Sequence, residues 1–567
     1  MKYIELFAGC GGLSLGLKSL PDSDMLMANE LSPMAGETFA LNLLNENLKE
    51  QSQKTLSDGA NLKTKWLSSQ FKISELAGRL RENPQEYPPF GQGVCDLSFD
   101  GSNMHRSLVI GSVVDLNSWL TQVSNKEALD RIKGGFGTGN VDLVSGGPPC
   151  QSFSMAGMRQ FANARNVLPW EFAKFVSLIQ PKFVLLENVS GIMHPFMVDG
   201  EKRFAWFEVA QAFAKIGKVA PISSEEGALG YVPLCMHINA KLAGVAQNRP
   251  RFIMLAFRQD IYRKLQKQMT GRDRELIDSS EKFYEKIRLG QAVYVKKDLI
   301  VHDLEKNPTL FNGTFLSPLS AGVTTSVAQA IDDLRSVGIE QSSYVRNNNL
   351  LLGKLSQTTI KSGVENHVFR THGIEVQRRF RIYQVLSAMS SETALAARKI
   401  LQRRGSILPD SAWQELKNGL FYEEAGEPFK RFPTKEFLEN FLIDHQTSKH
   451  SQKALVSGMP APAALSIPDD TCHYYPHAST LRALTVREMA RIQSFPDDFV
   501  FCSKATTGGS QRKFEVPQYT QVGNAVPPLL GRALGEIVNG LLQLSRSPSK
   551  IPARDDHSKK VVEVSQD

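Results

Sequence analysis

A strand pattern that ends in a glycine-proline turn constrains the fold of this chain more than any other feature. Residues 141–145 are largely apolar and run directly into the sequence Gly-Gly-Pro-Pro at residues 146–149. This order predicts a strand followed by a rigid turn, because glycines allow close backbone approach and prolines fix φ. The turn presents one thiol, Cys150. Open α/β sheets bind ligands at the carboxyl ends of their strands, so we expect a site here.

The amino terminus has the same arrangement around a second turn. A largely apolar run at residues 2–8 meets a glycine-rich turn at residues 9–12, and a leucine pattern typical of a helix follows. Such a turn points backbone N–H groups and a helix N-terminus at a ligand. A second apolar run ends in Glu30, about 20 residues beyond the glycines, where a carboxylate can accept hydrogen bonds from ribose hydroxyls. The alternative interpretation of Glu30 is a solvated loop carboxylate.

Strand and helix patterns alternate over residues 1–258. We therefore predict an α/β fold with a doubly wound, mostly parallel sheet and a second, smaller domain. Residues 1–258 are the predicted catalytic domain, with a polar insertion at about residues 45–106. The alternation is lost in residues 259–480, the predicted second domain, and residues 481–544 return to the first. The polar tail at residues 545–567 is predicted to be disordered.

Composition narrows the class of protein. The net charge of +8 and the pI of about 9.0 favour a polyanionic partner only slightly. Six cysteines lack Cys-x-x-Cys spacing, so we predict neither a disulfide framework nor a metal site. The sequence has no signal-peptide pattern and no apolar stretch of about 18 residues, which predicts a cytoplasmic protein without membrane contact. We also expect a monomer.

Cys150 and Glu187 each follow a predicted strand and are expected at one edge of the sheet. A thiolate and a carboxyl group together suit covalent catalysis on an electron-poor ring. A free thiol has a pKa of about 8.5, so a neighbouring Arg249 or Arg251 would favour the thiolate. Two alternatives stay open from the residues alone: Cys150 as a buried, inert side chain, and Glu187 as an ordinary salt-bridge partner of these arginines.

Six short motifs occur in the order that one enzyme family has. They are Phe7-Ala8-Gly9-Cys10-Gly11-Gly12, Pro148-Pro149-Cys150-Gln151-Ser152-Phe153-Ser154, Glu187-Asn188-Val189, Gln247-Asn248-Arg249-Pro250-Arg251, Arg482-x-Leu484-Thr485-x-Arg487-Glu488-x-Ala490-Arg491 and Gly523-Asn524-Ala525-Val526. With these motifs the chain resembles the cytosine-C5 DNA methyltransferases, in particular the bacterial restriction-modification type. The resemblance covers about residues 1–42, 107–258 and 480–544.

The resemblance implies a mechanism on a cytosine that is flipped out of duplex DNA. Cys150 would add to C6 of the ring, Glu187 would hold or protonate N3, and Asn188 would help to fix the base and the loop. C5 would accept a methyl group from S-adenosylmethionine, and loss of the C5 proton with expulsion of Cys150 would restore the ring. The positions that match residues steadying the flipped base are Gln247, Arg249 and Arg251.

The same resemblance implies contacts to the cofactor, S-adenosylmethionine. The matching positions are Phe7, Gly9, Gly11, Gly12, Glu30, Ser112, Val113, Pro149, Asn524 and Val526. Two residues depart from the family pattern. Ser112 stands where many members have an acidic residue that contacts the adenine amino group, and Leu31 stands where an aromatic residue often follows the ribose-binding acid. Both departures concern the adenine end of the cofactor.

Three other functions share parts of this pattern. Methyltransferases of amino groups need an aromatic residue after a polar-Pro-Pro sequence, where this chain has Cys150. A transfer-RNA cytosine-C5 methyltransferase would keep the catalytic residues, but the Cys-Phe-Thr tripeptide of that branch is absent. The third is a catalytically inactive DNA-binding homologue, against which the intact Cys150, Glu187 and Arg249 argue.

We therefore predict a DNA (cytosine-5-)-methyltransferase (EC 2.1.1.37) that acts on a specific sequence in double-stranded DNA. A cognate restriction endonuclease is its candidate partner. Residues 259–480 would form the target-recognition domain. Within that domain the basic run Arg378, Arg379 and Arg381 is interpreted as a phosphate contact, with a solvated helix face as the alternative.

Overall fold

The computed structural model describes residues 1–54, 60–149, 168–198, 200–217, 227–335, 339–354, 364–421, 429–449, 451–463, 470–475 and 480–546. Its strands are β1 (Lys2–Leu6), β2 (Asp24–Glu30), β3 (Thr64–Trp66), β4 (Ser107–Ile110), β5 (Leu143–Gly146), β6 (Phe183–Val189), β7 (Phe196–Val198), β8 (Glu201–Arg203), β9 (Tyr231–Asn239), β10 (Pro250–Arg258), β11 (Val301–Asp303), β12 (Lys453–Ala454) and β13 (Thr471–Cys472). Its α-helices are α1 (Gly12–Lys18), α2 (Pro33–Phe39), α3 (Leu48–Gln51), α4 (Leu76–Arg79), α5 (Val113–Leu120), α6 (Lys126–Lys133), α7 (Leu168–Ile179), α8 (Ala205–Lys215), α9 (Gln259–Gln268), α10 (Gly271–Asp278), α11 (Glu281–Leu289), α12 (Val327–Ile331), α13 (Ser343–Leu352), α14 (Ile374–Ser387), α15 (Ser391–Leu401), α16 (Asp410–Leu416), α17 (Lys435–Asp444), α18 (Val486–Ile492), α19 (Gln518–Asn524) and α20 (Pro528–Arg546).

A nine-stranded sheet forms the centre of the described structure, in the order β11-β9-β10-β6-β5-β1-β2-β4-β3. β10 runs antiparallel to β6 and β9, and the other neighbouring pairs are parallel. The central strands β1, β5 and β6 are almost entirely buried, as expected of parallel strands that helices cover on both faces. The predicted α/β fold with a doubly wound, mostly parallel sheet is confirmed.

The order of the strands reverses between β1 and β5. β2 and β4 are added on one side of β1, whereas β5 and β6 are added on the other. Leu6 at the end of β1 lies opposite Gly146 at the end of β5, so the two glycine-rich turns begin side by side. Such a switch point leaves a crevice at the carboxyl edge of an open sheet, and ligands bind there.

The last described helix, α20, packs against the first helix, α1. The two helices approach closely because Gly16 has no side chain, since a Cβ there would clash with the backbone of Pro528 and Arg532. Gly531 contacts α1 in the same way, with Leu13 as its neighbour. The segment predicted to return to the first domain therefore completes the layer of helices over β1.

Part of the polar insertion belongs to the sheet itself. β3 pairs in parallel with β4, with Trp66 opposite Ile110, and forms one edge of the sheet. Trp66 is fully buried. The next strand along the chain, β4, ends at Ile110, and Ser112 caps α5 by accepting a hydrogen bond from the Val114 N–H at 3.1 Å.

Two hydrophobic cores divide the described residues. The first surrounds the sheet and includes side chains from α9 to α13, while β11 is a strand of the sheet. The second core lies within residues 380–483 and is formed by α14 to α17 with β12 and β13. Residues 259–345 thus pack largely with the sheet, and the smaller core begins near Phe380.

Two kinds of feature are absent from the described part of the chain. No helix there is both long and apolar enough to cross a bilayer. No group of three His, Cys, Asp or Glu side chains is placed there to bind a metal ion.

Candidate active site

The turn after β5 lies at the switch point, beside the end of β6. Asn188 donates a hydrogen bond from Nδ2 to the carbonyl oxygen of Pro148 at 2.9 Å and so holds this turn. A Cβ at Gly147 would lie 3.1 Å from Oε2 of Glu187, which explains why a glycine stands there. Pro149 is half-buried. The predicted nucleophile Cys150 follows it directly and, with residues 151–167, lies outside the described residues.

Glu187 is held by a buried ion pair. Nε of Arg251 lies 2.7 Å from Oε1 of Glu187, and both side chains are about one-tenth exposed. The antiparallel pairing of β6 with β10 brings them together, since Arg251 lies opposite Val189. Burial lowers the pKa of Arg251, and the Glu187 carboxylate opposes that shift. The ion pair anticipated as the alternative for Glu187 exists, and it lies directly against the turn that leads to Cys150.

Arg249 joins the β9–β10 connection to the C-terminal motif. Its Nη2 donates hydrogen bonds to the carbonyl oxygens of Gly523 at 2.7 Å and Ala525 at 3.0 Å. The side chain is buried, and its Nε has no hydrogen-bond partner among the described residues. Burial, and secondly the charge of Arg251, lower its pKa. The predicted role in steadying the flipped base is not addressed by these contacts, which fix the motif at residues 523–526.

Gln247 connects the site to residues 461 and 462, and Ala461 belongs to the first hydrophobic core. Its Nε2 donates a hydrogen bond to the Pro462 carbonyl oxygen at 3.2 Å, and the Asn248 N–H donates to the Ala461 carbonyl at 2.7 Å. Gln247 is fully buried, yet its Oε1 has no partner in the described part of the chain. Buried side-chain oxygens without a partner are uncommon in native proteins. No sequence pattern had marked residues 461 and 462 as part of the site.

The turn after β1 forms the other half of the crevice. Glu30 accepts a hydrogen bond from the Gly9 N–H at 2.7 Å and another from the Ser32 N–H at 2.9 Å. Burial raises the pKa of Glu30, and these backbone donors oppose the rise. Phe7 and Gly9 both have φ near 55°, and a Cβ at Gly9 would meet no atom within 4 Å. The turn is therefore open toward the crevice at Gly9.

The other predicted cofactor residues divide into packed and open positions. A Cβ at Gly11 would clash with Leu43, and one at Gly12 would clash with the Val526 carbonyl oxygen, so both glycines serve close packing. Val113 is buried, whereas Asn524 at the end of α19 is exposed. Sequence reasoning missed Asn239, whose Oδ1 accepts a hydrogen bond from the Arg249 N–H at 2.9 Å.

The contacts of the basic run in α14 correct its interpretation as a phosphate-binding segment at one position. Arg381 is buried, and its Nε donates a hydrogen bond to the Leu420 carbonyl at 2.7 Å. Arg378 forms an ion pair with Glu375 at 3.0 Å. The interpretation of Arg381 as a phosphate contact was wrong, because this side chain packs inside the helical core, over the ring of Phe429.

Comparison with known protein families identifies the family of this chain. The profile of the family described as C-5 cytosine-specific DNA methylase matches residues 1–67 and 119–539. This chain belongs to that family. The methylase therefore transfers a methyl group to C5 of cytosine in DNA, and the predicted enzyme class is confirmed. Residues 68–118, which the profile does not match, contain most of the predicted insertion.

Two curated relatives of the methylase are named type II methyltransferases. The type II methyltransferase M.DdeI of Desulfomicrobium norvegicum is 25% identical over 405 residues, which cover 70% of this chain and 73% of that protein. The type II methyltransferase M.Bpa9945I of Bacillus paralicheniformis is 26% identical over 565 residues, covering 95% of this chain and 100% of its own. Among solved structures, the S. pombe Dnmt2 methyltransferase covers 96% of this chain and 98% of its own at 12% identity, with a TM-score of 0.35.

Proposed function

We propose that this methylase modifies a cytosine flipped out of duplex DNA through a covalent bond between Cys150 and C6, with S-adenosylmethionine as methyl donor. The observation that carries the proposal is the position of Glu187. Its carboxylate is fixed by Arg251 at 2.7 Å and lies against Gly147, three residues before Cys150. A thiol and an oriented carboxyl group would then face one crevice from neighbouring strands.

The proposed reaction begins with attack by the Cys150 thiolate and ends with its release. The Cys150 thiolate adds to C6 while Glu187 supplies a hydrogen bond or a proton at N3, so electron density moves to C5. C5 forms a bond to the methyl carbon as the bond between that carbon and the donor sulfur breaks, and S-adenosylhomocysteine leaves with the electron pair on sulfur. Loss of the C5 proton to a base then returns the electron pair to the ring, and Cys150 leaves as the thiolate. Asn188 fixes the turn through the Pro148 carbonyl during these steps.

The residues after β1 and β2 fit the proposed cofactor. The Glu30 oxygens accept the backbone N–H groups of Gly9 and Ser32, and a carboxylate has about four lone-pair sites, so acceptor capacity is left for a ribose hydroxyl. The open space at Gly9 allows a ligand to approach the backbone closely. S-adenosylmethionine, when bound, supplies an electrophilic methyl group on a positively charged sulfur. We assign Phe7, Gly9, Glu30 and Asn524 as the residues that hold it.

We assign recognition of the DNA sequence to the second core, which narrows the predicted recognition region from residues 259–480 to about residues 374–480. Two partly buried arginines there, Arg379 of α14 and Arg398 of α15, have Nε atoms without a partner among the described residues. Burial raises the pKa of Tyr383 to about 12, and the positive charges of Arg379 and Arg398 oppose the rise, which places both near this ring. Guanidinium groups on neighbouring helices suit phosphate oxygens.

We further propose that the enzyme is the modification member of a restriction-modification system in the cytoplasm, acts as a monomer and has a cognate restriction endonuclease. The names of its relatives, which are type II methyltransferases, support this placement. The same similarity gives no support to the alternative of a transfer-RNA substrate or to that of an inactive homologue.

A labelling experiment tests the proposal. The purified methylase is incubated with S-adenosylmethionine tritiated in the methyl group, with duplex DNA or transfer RNA as acceptor. We expect label in DNA at C5 of cytosine, and no incorporation by Cys150→Ser. Label confined to RNA, or full activity of Cys150→Ser, would contradict it. Bisulfite sequencing of DNA from cells that express the enzyme then reports the modified cytosine and its surrounding sequence.

A further inference from the structure

The predicted insertion reaches the carboxyl edge of the sheet, next to the residues assigned to the cofactor. β3 ends at Trp66, and the Leu67 N–H continues the pairing by donating to the Ile110 carbonyl at 2.9 Å. Leu67 then packs against Gly111, where a Cβ would lie 2.8 Å from that of Leu67. Gly111 precedes Ser112, a predicted adenine-side residue. The insertion therefore borders the turn after β4.

A second part of the insertion reaches the turn after β2. The Tyr87 hydroxyl donates a hydrogen bond to the Leu31 carbonyl oxygen at 3.1 Å. Leu31 follows the proposed ribose-binding Glu30, and 45% of its surface is exposed. Burial, then the charges of Glu82 and Glu30, raise the pKa of Tyr87, so the phenol stays protonated and can keep donating this bond.

The chain around Tyr87 is anchored by hydrogen bonds. The Ser69 hydroxyl and the Gln70 N–H both donate to the buried Glu82 carboxylate at 2.7 Å. The Ser68 hydroxyl donates to the Pro88 carbonyl at 2.9 Å on the other side of the tyrosine. Because both flanks are fixed, the ring of Tyr87 is held beside the turn after β2 before any ligand arrives.

The adenine end of the proposed pocket lacks two features that would hold a purine. Position 31 carries an aliphatic side chain in place of an aromatic ring, and position 112 carries a neutral hydroxyl, which also caps α5 by accepting the Val114 N–H, in place of a carboxylate. An adenine ring gains most from a flat aromatic neighbour that excludes water, and such stacking changes affinity by about tenfold. Tyr87 is an aromatic side chain of the insertion that contacts the turn after β2.

We propose that the insertion forms the outer wall of the adenosine pocket and that the ring of Tyr87 packs against the adenine of the methyl donor. The inference rests on the proposed cofactor. The insertion then supplies, through the ring of Tyr87, the aromatic surface that Leu31 does not provide.

Binding of S-adenosylhomocysteine, measured by calorimetry, tests the proposal without catalysis. We expect Tyr87→Leu to bind this ligand about tenfold more weakly than the wild type, and Tyr87→Phe to lose at most about threefold because it keeps the ring. Tyr294→Leu is the matched control, since Tyr294 is an exposed tyrosine outside the insertion. Steady-state assays should show a raised KM for the methyl donor in Tyr87→Leu with kcat little changed.

The outcomes separate this inference from the proposed function. A wild-type enzyme that does not bind S-adenosylhomocysteine overturns both. Wild-type binding together with equal affinity of a folded Tyr87→Leu overturns the role of Tyr87 alone. Photolabelling of the wild type with 8-azido-S-adenosylmethionine gives a test that needs no variant. We expect the label in the tryptic peptide of residues 82–106, which contains Tyr87, and its absence from that peptide refutes the contact.

Discussion

Replacement of Arg251 by methionine tests the buried ion pair that positions Glu187. Methionine has a similar length and fills the space with apolar atoms, so the change removes the charge while it preserves most of the packing. The Glu187 carboxylate would remain buried against Gly147 without its partner. We expect Arg251→Met to lower the stability of the sheet domain and to abolish activity.

The size of the effect follows from the burial and the geometry. Both side chains are about one-tenth exposed and the contact is 2.7 Å, so solvent screens the pair little. Removal of one partner from such a pair costs about 3–5 kcal/mol, because the other charge is left uncompensated. At roughly 2–4 °C per kcal/mol for a domain of this size, Tm should fall by at least about 6 °C.

A double-variant cycle separates the ion pair from general damage to the core. Glu187→Gln with Arg251→Met removes both charges, and we expect this double variant to be more stable than Arg251→Met alone. Thermal unfolding followed by circular dichroism at pH 7.5 gives the four Tm values. If Arg251→Met is as stable as the double variant, the electrostatic account of how Glu187 is positioned is wrong.

Three further changes test other parts of the structure. Gly12→Ala should destabilise the protein by about 1–3 kcal/mol in thermal unfolding, since its Cβ would clash with a carbonyl of the C-terminal motif. Burial raises the pKa of Glu5 from 4.5 to about 8, so the wild type should lose stability as pH rises from about 4.5 to 8. Glu5→Gln should lack this loss. Identical pH profiles of Tm for the two proteins would contradict this prediction. Replacement of Arg379 and Arg398 by alanine should weaken DNA binding and lower its salt dependence by about one counterion per lost phosphate contact, whereas the exposed Lys264→Ala should leave both unchanged.

Features that depend on neighbours along the chain could be predicted from the sequence. The turn at residues 146–149 and the carboxylate at position 30 follow their strands directly, and a strand that ends in glycine or proline leaves few alternatives. The parallel pairing of β5 with β6 then places Glu187 beside that turn. The positions of the turn at residues 146–149, of Glu30 and of Glu187 thus follow from local sequence patterns and from the rule that parallel strands end at the same edge of a sheet.

Features that depend on distant partners could not be predicted. Arg249 bonds to carbonyl groups 274 and 276 residues away, and a backbone oxygen has no sequence signature. β3 is a strand of three residues inside a polar interval, and its place at the sheet edge depends on pairing with β4 rather than on periodicity. Arg381 belongs to a run of arginines that resembles a phosphate contact, and only the packing of its helix shows that it is buried.

The contact between α1 and α20 cannot form until synthesis of the chain is almost complete. The apolar face of α1 leaves the ribosome early, but Pro528 and the rest of α20 are made about 500 residues later. At ~5–20 residues per second, this interval is roughly 25–100 s. Throughout that time the nascent chain exposes a surface that α20 covers in the folded enzyme, so production of the folded enzyme should respond to chaperone supply and to the rate of translation.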